Sequence, residues 1–302
     1  MNNITKIIWN LSNYCRSECS YCPASLRGGD RPRETSEYIR VSDILINNYK
    51  TLGRTIQWTF NGGEPLDMEN IVTLLKMCRE NGEIMTLHTN GGRLWMDWWA
   101  IEPYVDNLIL TFHYWQNPAL INYIIEVFMK KNKKINVSVP IRPNFFDYDI
   151  NSALMIELKY GITVGKNVLY KNARKEEGQF PYTSEQLAIM SGVVPAKTQP
   201  IEIKKEIVEL APLVKEKKHF ENTTWKQRHT DNYNNNPVYT GKNCNAGIEY
   251  LHISHDGWAF GSNCKNQPLG NIFTQDWQPP NQSQICTMQA CIDKEDQMLT
   301  KF

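Results

Sequence analysis

Residues 55–89 read TIQWTFNGGEPLDMENIVTLLKMCRENGEIMTLHT, and their rhythm decides the fold. Thr55–Phe60 is β-branched and aromatic, as a strand requires, and the turn Gly62-Gly63-Glu64-Pro65 follows it. Ile71, Leu74, Leu75 and Cys78 then recur at helical spacing on one face. Ile84–Thr89 is a second strand, stopped by Asn90-Gly91-Gly92. Strand, helix and strand in this order form a βαβ unit, whose two strands lie parallel.

The same alternation extends in both directions. Ile7–Leu11 reads as an earlier strand, ending just before Cys15. Downstream come a helix at Trp95–Ile101, a strand at Asn107–Phe112, an apolar helix at Pro118–Met129 and a strand at Ile135–Val139. A helix near Ile150–Lys159 and a short strand at Ile162–Val164 complete six repeats. The expected fold class is α/β, a partial (β/α)6 TIM-type barrel over residues 1–170, with a doubly wound sheet as the alternative that counting leaves open. In either case chemistry gathers at the carboxyl ends of the strands, where every unusual motif of this chain lies. Residues 171–242 break the rhythm and read as a bridge or cover, with a helical run near Ile203–Lys215 and an Asn-rich loop at Asp231–Pro237. Residues 243–302 read as a small β-hairpin/helix domain, since Asp256-Gly257 between strand-like runs is a hairpin signal.

Hydrophobic residues make up 41% of the 302 and charged residues 22%, a globular balance. Lys+Arg at 33 against Asp+Glu at 32 gives a net charge of +1, which offers no support for a nucleic-acid partner. The one dense basic run, Met129–Lys134, reads as a solvated helix end. No apolar run approaches the ~20 residues of a membrane span, and the N-terminus lacks a signal-peptide core. The expected location is therefore cytoplasmic, where eight cysteines stay as thiols or ligands.

Seven of those cysteines fall into two groups. Cys15, Cys19 and Cys22 share one short loop, a spacing that lets each bind a separate iron of a cubane and leaves one iron open. A closed zinc site would need a fourth Cys or His nearby, and no His occurs before His88. Cys244, Cys264, Cys286 and Cys291 form the second group, with the hairpin expected to bring Cys244 and Cys264 together and a short helix to return the other two. Four thiols suit either an iron–sulfur cubane or zinc. Cys78 reads as a buried small hydrophobe.

Cys15–Cys22 resembles the signature loop of the radical S-adenosylmethionine (SAM) superfamily, C-x3-C-x2-C after the first strand, with Tyr21 in its aromatic position. Gly62-Gly63-Glu64-Pro65 resembles the family's second signature, which binds the amino group of the cofactor's methionine part. Glycines let backbone approach a ligand, and a carboxylate partners an ammonium. The resemblance implies a [4Fe-4S] cluster on Cys15, Cys19 and Cys22 that cleaves SAM to a 5′-deoxyadenosyl radical. It also points to Asn90, Thr111 and Arg142, at the ends of strands three, four and five, as cofactor-binding candidates. His113 is a further candidate there.

The tail resembles the twitch domain, the shortened form of the SPASM extension. That resemblance implies one auxiliary iron–sulfur cluster on the four distal cysteines, which would accept or relay an electron. Twitch-bearing relatives include dehydrogenases of aminocyclitols and peptide-crosslinking enzymes. Because strand one starts within ten residues, no leader-gripping winged helix is expected before it, which favours a small hydroxylated metabolite or sugar over a peptide substrate. A non-catalytic, zinc-stabilised binding module is the remote alternative. An electron donor such as flavodoxin or ferredoxin is implied as partner. Tyr114 and Trp115 are candidates to line a substrate pocket, Trp95, Trp98 and Trp99 read as helix packing, and Glu176, Glu177, His219 and His229 are candidate general bases.

Overall fold

The computed structural model describes residues 3–17, 19–23, 27–81, 83–92, 95–171, 177–193, 239–264, 268–288, 291 and 294–302. The expected helix at 203–215, the Asn-rich loop, Glu176, His219 and His229 lie outside the described residues. The chain forms two compact units. One comprises Met1–Asn13, Asp30–Thr86 and Lys217–Phe302, the other Tyr14–Gly29 and Leu87–Glu216.

In the first unit β1 (Ile4–Asn10) and β2 (Thr55–Asn61) pair in parallel, from Ile4↔Thr55 to Asn10↔Asn61. Ile7, Trp9, Ile56, Trp58 and Phe60 are buried on one side of this pair. Trp9 meets Tyr38 at 5.4 Å and Trp58 at 6.3 Å between ring centroids. Tyr38 belongs to α1 (Thr35–Thr51), which buries Val41, Leu45, Ile46 and Tyr49 along the same stripe. This helix is an addition to the sequence reading, although its i, i+3, i+4 apolar spacing is legible among the charges. α2 (Ile71–Glu80) buries Ile71, Leu74, Leu75 and Cys78, the face expected. β3 (Ile84–Thr89) starts in this unit and ends in the other.

Glu83, just before β3, is buried and accepts a hydrogen bond from the Ile56 backbone N–H. Burial pushes its carboxyl up to about 7, with the Ile56 bond pulling the other way. The folded chain therefore holds this proton more tightly than the unfolded chain does. Stability should fall as pH rises from about 4.5 through about 7, because the unfolded state ionises first. Glu83→Gln keeps an acceptor for Ile56 and removes the ionisation. We expect denaturation at pH 5 and pH 8 to show a gain for the variant at pH 8 and none at pH 5.

The second unit carries the strand order β4-β5-β6, with β4 (Asn107–Thr111), β5 (Lys134–Ile141) and β6 (Val164–Val168) all parallel. Leu110, Val137 and Val164 share the buried face, while Thr111, Ser138 and Gly165 share the half-buried one. The helices are α3 (Trp95–Ile101), α4 (Pro118–Lys130), α5 (Phe146–Tyr160) and α6 (Ser184–Met190). The Asn117 side chain caps α4 by accepting from the Ala119 N–H, with Pro118 in the first turn.

Three expectations need correction here. β6 starts at Val164, not Ile162, because α5 runs to Tyr160 and ends on Gly161 in the left-handed region at φ +65°. The bridge holds α6, started by a reciprocal Thr183/Gln186 capping box. Trp98 is buried against Phe128 as expected for packing, but Trp99 is 67% exposed.

The tail belongs to the first unit, where the strand order is β10-β9-β8-β1-β2. β8 (Tyr250–Ile253) pairs in parallel with β1, Lys6↔Tyr250 to Trp9↔Ile253, and antiparallel with β9 (Trp258–Phe260). The turn between them is the expected Asp256-Gly257, with Gly257 at φ +88°. β10 (Pro268–Asn271) follows, while β7 (Asn243–Cys244) and β11 (Gln284–Ile285) form a separate antiparallel pair. α7 (Lys294–Gln297) is a single turn. No helix among the described residues is long and apolar enough to cross a membrane.

Candidate metal and cofactor site

The loop bearing Cys15, Cys19 and Cys22 is closed on itself. Tyr14 bridges Gly28, the Cys15 N–H donates to Arg27 O at 3.4 Å, and Arg27 Nε donates to Cys22 O at 2.9 Å. A tight turn places the Cys22 N–H on Cys19 O at 2.9 Å. Burial, reinforced by Cys19 and Cys15 and opposed by Arg27, pushes the Cys22 thiol up to about 11. Bringing a metal to such a group releases its proton, since the ligand is the thiolate.

Side chains from the ends of β3 and β4 converge on these sulfurs. Trp115 donates its indole N–H to Cys19 Sγ at 3.2 Å, and Asn90 Nδ2 reaches Cys15 Sγ at 3.9 Å and Ser17 Oγ at 3.1 Å. Tyr21 hydrogen-bonds His113 Nδ1, which lies 3.9 Å from Cys19 Sγ. Burial, then the Cys19 thiol, drives the Tyr21 phenol well up, and burial lowers His113 to about 4, so both are neutral at pH 7. A hydroxyl donor to a neutral imidazole fits those states. Donors aimed at sulfur are what thiolates binding a cluster accept, so this set fits a loop-bound iron–sulfur group.

Gln116 went unnoticed in the sequence. Its Oε1 accepts from the His113 N–H at 2.5 Å and its Nε2 donates to Asn90 O, clamping the exits of two strands together. Only the fold reveals it, because a glutamine in a turn carries no motif. Asn90 Oδ1 meanwhile accepts from the Gly92 N–H at 2.8 Å.

Arg142 follows β5 and is engaged by Asp149, which is 1% exposed. Nη2 and Nε meet its two oxygens at 2.7 and 2.9 Å, and the Arg142 backbone N–H adds a third bond at 2.8 Å. The guanidinium also lies over the rings of Tyr114, at 3.8 Å, and Phe145, at 4.4 Å. Asp149 is a second residue missed in sequence, seven positions along in α5. Thr111 ends β4 on the half-buried face.

In the first unit Gly62 and Gly63 leave β2 at φ +89° and +29°. Glu64, 3% exposed, caps the short turn Pro65–Asp67 by accepting from the Leu66 N–H at 2.9 Å. The fold therefore builds an acidic side chain into a tight backbone turn at a strand's carboxyl end.

The four distal cysteines line one cleft of about 500 Å³, counting its open mouth, together with Ser262, Met288 and Lys301. Cys286 arrives directly from β11, which pairs with Cys244 of β7; the expected return of Cys286 from a helix is corrected by this pairing. Ser262 Oγ lies 2.7 Å from Cys264 Sγ. Burial raises the Cys244 and Cys291 thiols, while Lys301 pulls both down. Lys301 is anchored by donating to Asp296 O at 2.6 Å and Leu299 O at 3.0 Å. Four thiols around a cleft fit a cluster whose irons bind one thiolate each. Among the described residues no three His, Cys, Asp or Glu side chains converge on a point where one metal ion would sit.

Residues 9–111 match the model of the radical SAM superfamily. No curated protein matches the chain. Among solved structures, native anSMEcpe with bound AdoMet and Cp18Cys peptide is 13% identical with a TM-score of 0.52, over 89% of this chain and 77% of that one. Native anSMEcpe with bound AdoMet is likewise 13% identical, with a TM-score of 0.51 over 89% and 78%. Streptococcus suis SuiB bound to precursor peptide SuiA is 14% identical with a TM-score of 0.49, over 93% and 66%. The two anSMEcpe likenesses show the fold, a radical SAM partial barrel. The stretch that carries the loop cysteines after β1 and the Gly62–Pro65 turn is thus the stretch, residues 9–111, that is similar to the radical SAM superfamily, a family whose enzymes use a [4Fe-4S] cluster and SAM.

Proposed function

We propose that this chain is a radical SAM oxidoreductase or maturase, with the SAM-cleaving [4Fe-4S] cluster on Cys15, Cys19 and Cys22 and one auxiliary cluster on Cys244, Cys264, Cys286 and Cys291. Bound together, the first cluster and SAM supply a 5′-deoxyadenosyl radical that takes hydrogen from an unactivated carbon. The observation carrying this reading is the self-closed thiol loop with N–H donors aimed at its sulfurs.

The protein's own residues position and shield. Glu64, on the turn through Gly62, Gly63 and Pro65, offers a carboxylate for the cofactor's ammonium. Arg142, held by Asp149, keeps a fixed cation for its carboxylate. Asn90 and Thr111 supply hydrogen-bonding groups suited to a ribose, and Tyr21 an aromatic wall. Lys301 beside the distal thiols favours added negative charge, as an electron-accepting auxiliary cluster needs. A flavodoxin- or ferredoxin-type protein is the fitting electron donor.

For substrate, the half-buried face carrying Thr111, Ser138 and Gly165 is small and polar, which suits a hydroxylated metabolite or sugar. A peptide is the second reading, because anSMEcpe, which shares the fold, was solved with a bound peptide.

Anaerobically reconstituted protein should hold about eight irons and, reduced in the presence of SAM, release 5′-deoxyadenosine. Cys264→Ala should drop to about four irons and still release it. Bound zinc without iron would sink the proposal. Deuterium transferred into 5′-deoxyadenosine from a labelled polyol, or from a labelled peptide, chooses the substrate class.

A further inference from the structure

We infer that Trp115 sets the reduction potential of the loop-bound cluster through its hydrogen bond to Cys19, an inference that rests on the reading of that loop given above. Trp115 is 39% exposed, so its indole N–H could be satisfied by water without loss. It is turned instead onto the sulfur of Cys19, which is 6% exposed, at 3.2 Å. The orientation is held. The indole stacks on His113 with 5.7 Å between centroids and 9° between planes, and the His113 backbone N–H is pinned by Gln116.

A neutral thiol is a weak acceptor, so a protonated Cys19 would give this bond little strength. A thiolate accepts far better, because the bond is then charge-assisted. The contact is therefore matched to the metal-ligated form of Cys19. Its electronic consequence has a definite sign. Each N–H directed at a cluster sulfur stabilises the state with more negative charge, which is the reduced one, and raises the potential. Asn90, at 3.9 Å from Cys15 Sγ, makes a longer contact of the same kind. Trp115 thus acts through Cys19 as a positioning and tuning residue, easing one-electron reduction of the cluster.

Trp115→Phe keeps an aromatic ring beside His113 and removes the N–H together with the pyrrole ring, so the donor to Cys19 is lost. The test is a potentiometric titration of the reconstituted holoenzyme followed by electron paramagnetic resonance, with the loop cluster recognised as the signal that changes when SAM is added. At a fixed solution potential, the reduced-to-oxidised ratio of that cluster should fall about tenfold in Trp115→Phe, equivalent to about 59 mV for a one-electron couple. Iron content should be unchanged, and Trp99→Phe, at an exposed tryptophan of α3, should leave the ratio alone. An unchanged ratio in iron-replete Trp115→Phe overturns the inference while leaving the reading of the loop intact. Wild-type protein with no SAM-responsive cluster overturns both. A second measurement does not depend on the variant folding. In wild-type protein carrying tryptophan labelled with ¹⁵N at Nε1, the reduced cluster should show a hyperfine coupling to that nucleus, and its absence refutes the contact.

Discussion

In Cys15→Ala, 5′-deoxyadenosine release is expected to fall to background, with the loss of about four irons from the protein. The loop supplies three free thiols, and on the proposed reading each binds a separate iron. Cys15 opens the loop, its N–H held by Arg27 O and its sulfur approached by Asn90. Alanine leaves those contacts without a ligand at their centre, so the proposed auxiliary site is expected to keep its metal while the first site loses it. Iron analysis and product chromatography on the same sample check both halves. Cys78→Ala is the control, since this thiol is buried in α2 and burial pushes it up to about 12. It should lower stability modestly and leave iron and product unchanged. Full iron content with normal product release in Cys15→Ala would refute the assignment of this loop.

Gly62→Ala is expected to lower stability by about 2–4 kcal/mol, through two additive causes. At φ +89° any L side chain is strained. In addition, a Cβ there would lie 2.4 Å from Ser12 O and 3.0 Å from Asn10 Cα, both backbone atoms of the β1 exit that cannot step aside cheaply. Gly53→Ala separates the two causes, because Gly53 sits at φ +66° with nothing within 4 Å of the added carbon. It should show only the strain, about 1–2 kcal/mol. Thermal unfolding should place Gly62→Ala roughly 3–6 °C below wild type, with Gly53→Ala between. Equal midpoints for the two variants would show that β1 gives way. Ser12 also lies three residues before Cys15, so SAM binding measured by calorimetry should weaken in Gly62→Ala and hold in Gly53→Ala.

Much of the fold was legible in the chain. The strands at β2 and β3 and the buried face of α2 follow from period-2 and period-3.6 patterns that local sterics enforce wherever the chain goes. α1 was just as regular, yet its apolar stripe is interleaved with Glu37, Arg40 and Asp43 and follows a loop whose cysteines hold the eye. α6 was hidden differently. Its seven residues sit in a charged stretch, and only the Thr183/Gln186 box marks it. Within the site, cysteines and glycines stand out because their chemistry is rare. Gln116, Asp149 and Ser17 do not, being common residues that matter through what they touch.

By itself the sequence determined the βαβ rhythm around residues 55–89, the two cysteine groups and the turn Gly62–Pro65, because propensity, spacing and ligand chemistry are local properties. Tertiary structure alone decided that β8, some 240 residues after β1, pairs beside it in parallel, and that His252 of β8 comes within 3.5 Å of Asn10. It alone decided that four thiols spread over residues 244–291 line one cleft. It also set the indole N–H of Trp115 on the sulfur of Cys19. Such contacts close long loops, and their partners are chosen by packing and by the demand that buried polar groups be paired. No window of neighbouring residues encodes that choice.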